Sequence, residues 1–232
     1  WHNPVEHMIM MRLIAVVTGV LMWVSVANAE PSSAVAFDAA TLKLLADADP
    51  ARGENLAKEG KCGKCHGDNG VSEDPGDVNI AGLSASYIYK QLADYKDRNR
   101  GDRDMYKAMK DLDDQQMADL AVWFAAQEPA QPAADRNTSP EVLKLVFQGD
   151  PERLLKACAS CHGRDGRGGQ FDHPALTGQH QEYFIYTMTE FQEGDRTNDI
   201  YARMRSVAEL LTGEEIEALA AYYGAAVPVE QE

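Results

Sequence analysis

Basic side chains are scarce. Only 22 Lys and Arg stand against 37 Asp and Glu in 232 residues, a formal net charge of −15. Phosphate contacts need clustered Lys and Arg, so this balance excludes a nucleic-acid binder. It favours cations or basic partner surfaces. Long apolar runs are also nearly missing. One stretch, Leu13 to Val26, is almost unbroken, and its roughly 14 residues fall short of the ~20 that cross a bilayer as a helix. Sustained strand alternation is absent, so the chain reads as all-α. Cysteine is rare, at four residues. The hydrophobic fraction of 44% is nevertheless too high for a disordered acidic chain.

The apolar run is entered by Met11 and Arg12 and closed by Ala27-Asn28-Ala29, a small-x-small site. That pattern makes residues 1–29 a secretory signal peptide, with 1–10 read as sequence upstream of the start; the alternative is an uncleaved membrane anchor. Glu6 and Arg12 cancel within it, so residues 30–232 keep the whole −15. A secreted chain meets an oxidising compartment, where four free thiols pair unless something else holds them.

All four cysteines fall in two pentapeptides, Cys62-Gly63-Lys64-Cys65-His66 and Cys158-Ala159-Ser160-Cys161-His162. Both are Cys-x-x-Cys-His, the attachment pattern of c-type haem. Two thiols on one helical turn each add to a haem vinyl group, and the adjacent His lies under the iron. A zinc site built from both motifs suits the ligand types but leaves the His after each second Cys unexplained. Two covalent haem c groups are therefore expected.

An internal repeat accompanies the motifs. A shift of 96 places Gly53 on Gly149, Cys62 on Cys158, Gly82 on Gly178 and Tyr87 on Tyr183; after a three-residue insertion the shift is 99, and Met105 falls on Met204 and Trp123 on Tyr222. The expected organisation is an N-terminal domain over 30–126, an extended Pro-rich linker over 127–140 and a C-terminal domain over 141–232. Short helices are expected at 53–62 and 149–158 leading into the motifs, then near 84–97 and 180–193, and last at 113–126 and 212–224 behind the N-caps Asp113 and Thr212. Residues 30–40 read as poorly ordered, with a short helix over 41–48. The aromatic positions on these helices read as core rather than as electron relays.

The sixth iron ligand decides the chemistry, because two protein ligands favour electron transfer and an open site favours ligand binding. The first half has a single histidine, His66, so its second ligand is sought among Met105, Met109 and Met117. The repeat selects Met105 and Met204. Met109 is the rival at the first iron, and His173 and His180 are rivals at the second. A ligating His donates its other N–H to a carbonyl; the expected acceptors are Val78 and Pro174. Arg100 and Arg196, paired by the repeat, are either propionate holders or ordinary surface arginines.

With these residues in place the chain resembles the dihaem cytochrome c4 family over about residues 50–226. The stretches that carry the resemblance are Leu176-Thr177-Gly178-Gln179-His180, Tyr183, and Phe191 through Asp199. It implies two tandem class I cytochrome c domains about a pseudo-twofold axis, with Met105 and Met204 as distal ligands. It further implies a periplasmic carrier, membrane-associated in many members, passing electrons towards a terminal oxidase. Val78 departs from the family's usual proline. The net charge predicts partners with basic docking surfaces. The alternative function is the electron-accepting dihaem subunit of an enzyme, such as flavocytochrome c sulfide dehydrogenase; a dihaem peroxidase is a third class.

Overall fold

Short polar side chains start most of the helices. In the computed structural model, which describes Ser33 and residues 35–225, Asp38 caps α1 (Ala39–Ala46) and Asp49 caps α2 (Pro50–Glu59). The motif helix α3 (Gly63–His66) follows, then α4 (Ala85–Lys96) behind Ser84, α5 (Arg103–Met109) behind Asp102, and α6 (Asp114–Ala125) behind Asp113. The second half has α7 (Pro140–Phe147) behind Ser139, the motif helix α8 (Ala159–His162), α9 (Gln181–Glu193), α10 (Arg203–Ala208) and α11 (Gly213–Tyr223). Asp113 with Gln116 and Thr212 with Glu215 form reciprocal capping boxes at the two expected N-caps. Among the described residues there is no strand, only three isolated bridges, and no helix is long and apolar enough to cross a membrane. The signal-peptide reading of residues 1–29 lies outside the described residues.

The expected helix over 149–158 does not form. Asp150 precedes Pro151 and is forced out of the helical region, adopting φ −135°, ψ 95° and capping a single 3-10 turn at Pro151–Arg153. Gly149 and Leu154 are both left-handed, and Asp150 and Leu155 close the segment by exchanging backbone hydrogen bonds of 2.8 and 2.9 Å. The helix sits earlier instead, over Pro140–Phe147, so Pro140 is a first-turn proline rather than the linker's last residue. The segment before α1 is also placed, in part: Ser33 Oγ donates to Asp94 at 2.6 Å and Phe37 stacks on Phe171.

Each half has its own apolar cluster. In the first, Ala57, Ile88, Leu92, Met109, Met117, Leu120 and Phe124 pack where α2 and α4 meet α6. In the second, Val142, Val146, Phe184, Met188, Phe191, Leu219 and Tyr223 pack where α9 and α7 meet α11. The α2–α6 crossing is tight because it runs over Gly53, and it is pinned by Asp119. The buried Asp119 carboxylate accepts from the Asp49 amide at 2.8 Å and from Arg52 Nε and Nη2 at 2.7 and 2.9 Å. Burial pushes its pKa up, but the hydrogen bonds from Arg52, Asp49 and Gln115 more than offset this and hold it below the usual value. A depressed carboxyl contributes stability above its unfolded pKa and loses it as pH falls through the folded one. Asp119→Asn should therefore lower the unfolding free energy measured in urea at neutral pH by about 2 kcal/mol, and the gap to wild type should close towards acid. A gap independent of pH would contradict this.

The loops behind the two motifs repeat bond for bond. Ile80 and Ala81 amides donate to Gly70 O as Leu176 and Thr177 amides donate to Gly166 O. The Gly82 amide donates to Phe124 O at 3.0 Å as Gly178 donates to Tyr223 O at 2.8 Å. Both glycines are left-handed and face the linker, where a Cβ would lie 2.8 Å from Pro129 and 2.2 Å from Ala130 O. The linker is thus extended but packed, threading between the two glycine turns. Across the interface Asn79 Nδ2 donates to Gly178 O, and Gln179 Nε2 donates to Asn79 O, both at 2.9 Å.

Candidate haem-binding sites

Each motif forms one helical turn. The His66 amide donates to Cys62 O at 3.1 Å and the His162 amide to Cys158 O at 3.0 Å, which sets the first thiol and the imidazole on one side of the turn. Left-handed Gly67 and Gly163 end these turns. The chain then reverses, bringing the next loop under the imidazole. His66 Nδ1 lies 3.1 Å from Val78 O, and His162 Nδ1 lies 2.8 Å from Pro174 O. A carbonyl only accepts, so each Nδ1 carries the proton and each Nε2 presents a lone pair. Burial holds the His162 imidazole below its usual pKa, in the neutral form a ligand needs. Valine and proline supply the same acceptor because the contact is with backbone.

Met105 on α5 and Met204 on α10 are half-buried and pack against the same clusters as Cys62 and Cys158 respectively. Each half therefore sets the first motif cysteine and a methionine against one apolar cluster, with the tied imidazole at the end of the motif turn. That donor set fits a covalent haem with a His and a Met on its iron. Met109, Met117 and Met188 are core residues, exposed by 3, 1 and 5%. His173 is engaged at both nitrogens: Nδ1 donates to Gln170 O at 2.9 Å, and Nε2 accepts from Arg203 Nη1 at 2.9 Å. His180 is buried at the interface, with Nε2 donating to Ser72 O at 3.1 Å.

A thiolate-bound metal suits the motifs poorly. Burial raises the Cys62 thiol and pushes Cys158 up to about 11. All four cysteines are unpaired. Among the described residues no three His, Cys, Asp or Glu side chains converge on one point.

Arg100 and Arg196 are not surface arginines. Both are buried, exposed by 7 and 5%. Arg100 stacks over Tyr95 at 4.7 Å and donates to Tyr183 Oη of the other half at 2.9 Å. Arg196 stacks over Phe191 at 4.5 Å and donates to Tyr87 Oη of the first half at 3.2 Å. Tyr87 packs on the first-half core as expected, and its hydroxyl and that of Tyr183 also serve the interface. Lys90 and Asp94 lie in the same buried zone and neutralise each other at 2.6 Å. Neither arginine has a carboxylate partner among the described residues, so two positive charges are left over. Sequence reasoning gave Lys90, Gln91, Asp94 and Asn198 no role here, although Lys90, Gln91 and Asn198 lie in stretches that carry the family resemblance; the repeat pairing of the arginines was the signal for the site.

The comparisons agree with this geometry. The profile of the cytochrome c family matches residues 50–126 and 152–223. Cytochrome c4 of Pseudomonas aeruginosa is 36% identical over 75% of this chain and 87% of its own length. The solved structure of reduced recombinant cytochrome c4 from Pseudomonas stutzeri superposes with a TM-score of 0.72 at 33% identity, covering 77% of this chain and 99% of that one. A thiosulfate dehydrogenase electron acceptor of Stutzerimonas stutzeri is 29% identical over 79% of this chain and 90% of its own length. All-α, built as two tandem cytochrome c domains with two covalent haem c groups, the chain is an electron-transfer protein and belongs to the cytochrome c4 family.

Proposed function

We propose that this protein is a periplasmic carrier that moves electrons singly or in pairs from a respiratory donor to a terminal oxidase or other acceptor. In this reading Cys62 and Cys65, and Cys158 and Cys161, anchor the two haems, domain by domain over 30–126 and 141–232. His66 with Met105 and His162 with Met204 close both irons to exogenous ligands. The observation that carries it is the twofold repetition of the tied imidazole, with Nδ1 on Val78 O and on Pro174 O.

When bound, haem supplies the one-electron couple. The chain holds the imidazole's orientation through the two carbonyls and keeps water off each iron through the apolar clusters. Met rather than His as the distal ligand raises the potential. Arg100 and Arg196 hold propionates: buried guanidiniums without a carboxylate are costly unless an anion joins them, and their planar forks fit carboxylates. The net charge of −15 speeds docking on basic partner faces.

The similarity to a thiosulfate dehydrogenase electron acceptor favours a second reading, in which the same two sites serve as the electron-accepting subunit of an oxidoreductase. The test combines redox titration with ligand binding. Two one-electron waves and no rapid CO uptake by the reduced protein are expected. Rapid CO binding at both haems would overturn the closed-site reading. Co-purification with a dehydrogenase would select the second.

A further inference from the structure

One carbonyl oxygen serves both halves. Gln91 Oε1, on α4 of the first half, accepts from Arg100 Nη1 at 2.8 Å, from Arg196 Nη2 at 3.2 Å and from Asn198 Nδ2 at 3.0 Å. Its side chain is buried. Around it the arginines keep the repeat symmetry, each stacked on its own half's aromatic ring and bonded to the other half's tyrosine. At Gln91 that symmetry stops. The equivalent position under the shift of 96 is Thr187, whose short side chain makes no hydrogen bond to either arginine. Both guanidiniums therefore share one acceptor in the first half, and Asn198, itself bonded to that acceptor, takes Arg196 Nε on its Oδ1 at 3.0 Å. Lys90 beside it locks the same place, donating to Asn198 O of the second half at 2.5 Å.

We propose that Gln91 is a positioning residue shared by the two redox sites: its side-chain carbonyl orients both interface arginines, so the two haems are tuned together and exchange electrons through a geometry it sets. This rests on the reading that Arg100 and Arg196 hold propionates. A guanidinium fork is planar and rigid, so fixing one edge fixes the others. In a buried site a charge placed at Gln91 is poorly screened and acts on both guanidiniums.

The test uses the full-length dihaem protein with Gln91→Glu and Gln91→Met. Redox titration resolves each haem's potential, and nuclear magnetic resonance line broadening reads exchange between them. Gln91→Glu should shift both reduction equilibria towards the ferric form, by about tenfold each, and Gln91→Met should slow exchange by about tenfold, roughly the value of one charge-assisted hydrogen bond. Both variants should keep the methionine–iron absorption band. If Gln91→Met fails to fold, Gln91→Glu preserves the size and adds an attraction to two cations, so the test stands. A shift at one haem only, or at neither, overturns the proposal. Arg100→Lys and Arg196→Lys separate the two failures. If they move the potentials while Gln91 variants do not, Gln91 has no positioning role and the propionate reading survives. If they too move nothing, the propionate reading falls.

Discussion

Met105→His and Met204→His, made one at a time, should each remove about half of the methionine–iron charge-transfer absorption and lower one of the two potentials, since bis-His ligation lowers the potential relative to Met/His. Both residues lie on the first turn or so of short helices, α5 and α10, and pack against the cluster that holds the facing cysteine. Met109 lies one turn further along α5 and is only 3% exposed. Met109→Ala should cost about 2–5 kcal/mol of stability, as a buried large-to-small change does, while leaving the band whole. Persistence of the full band in Met105→His, or its loss in Met109→Ala, would reassign the first ligand. The Met105→Ala protein should also bind CO at one haem only.

Gly53→Val should abolish accumulation of the folded holoprotein, or lower its unfolding midpoint severely. A Cβ at Gly53 would lie 2.1 Å from Asp119 O and 2.7 Å from Trp123 Cβ. Backbone faces backbone at the α2–α6 crossing, so no side chain can swing aside. Overpacking of this kind costs about 3 kcal/mol or more, against a total stability of about 5–15 kcal/mol. Gly101→Ala is the matched control, because a Cβ there meets nothing within 4 Å. Its midpoint should stay near wild type. Equal losses in both variants would show that the crossing is looser than its geometry.

Much of this was legible in the sequence because it is local. The pentapeptides, the offset of 96, the N-caps Asp113 and Thr212 and the helices α4, α6, α9 and α11 all follow from spacing or from short-range hydrogen bonding. The carbonyl acceptors Val78 and Pro174 followed from the chemistry of a tied imidazole and the repeat. The 149–158 segment did not, because the repeat pointed to a helix where Asp150-Pro151 stops one. The interface was invisible for a different reason. Lys90 and Asp94 form an i,i+4 pair that looks like an ordinary surface pair, and their repeat counterparts, Tyr186 and Glu190, do bond at 2.6 Å on an exposed face. Residues 61 to 108 positions away close over the first pair, and no window of sequence contains them.

The crossed arginine–tyrosine bonds bear on separability. A duplicated domain starts as two modules, each complete by itself. Here each guanidinium ends on the other module's phenol, and both lean on one glutamine. Cutting the chain at the linker would leave Arg196 without its phenol and its amide, and would lay a buried Lys–Asp pair open to water. The second half carries threonine at the position equivalent to that glutamine, so it has no amide of its own there. The two copies of one fold are in that sense interlocked: they share a buried polar interface that neither copy completes alone.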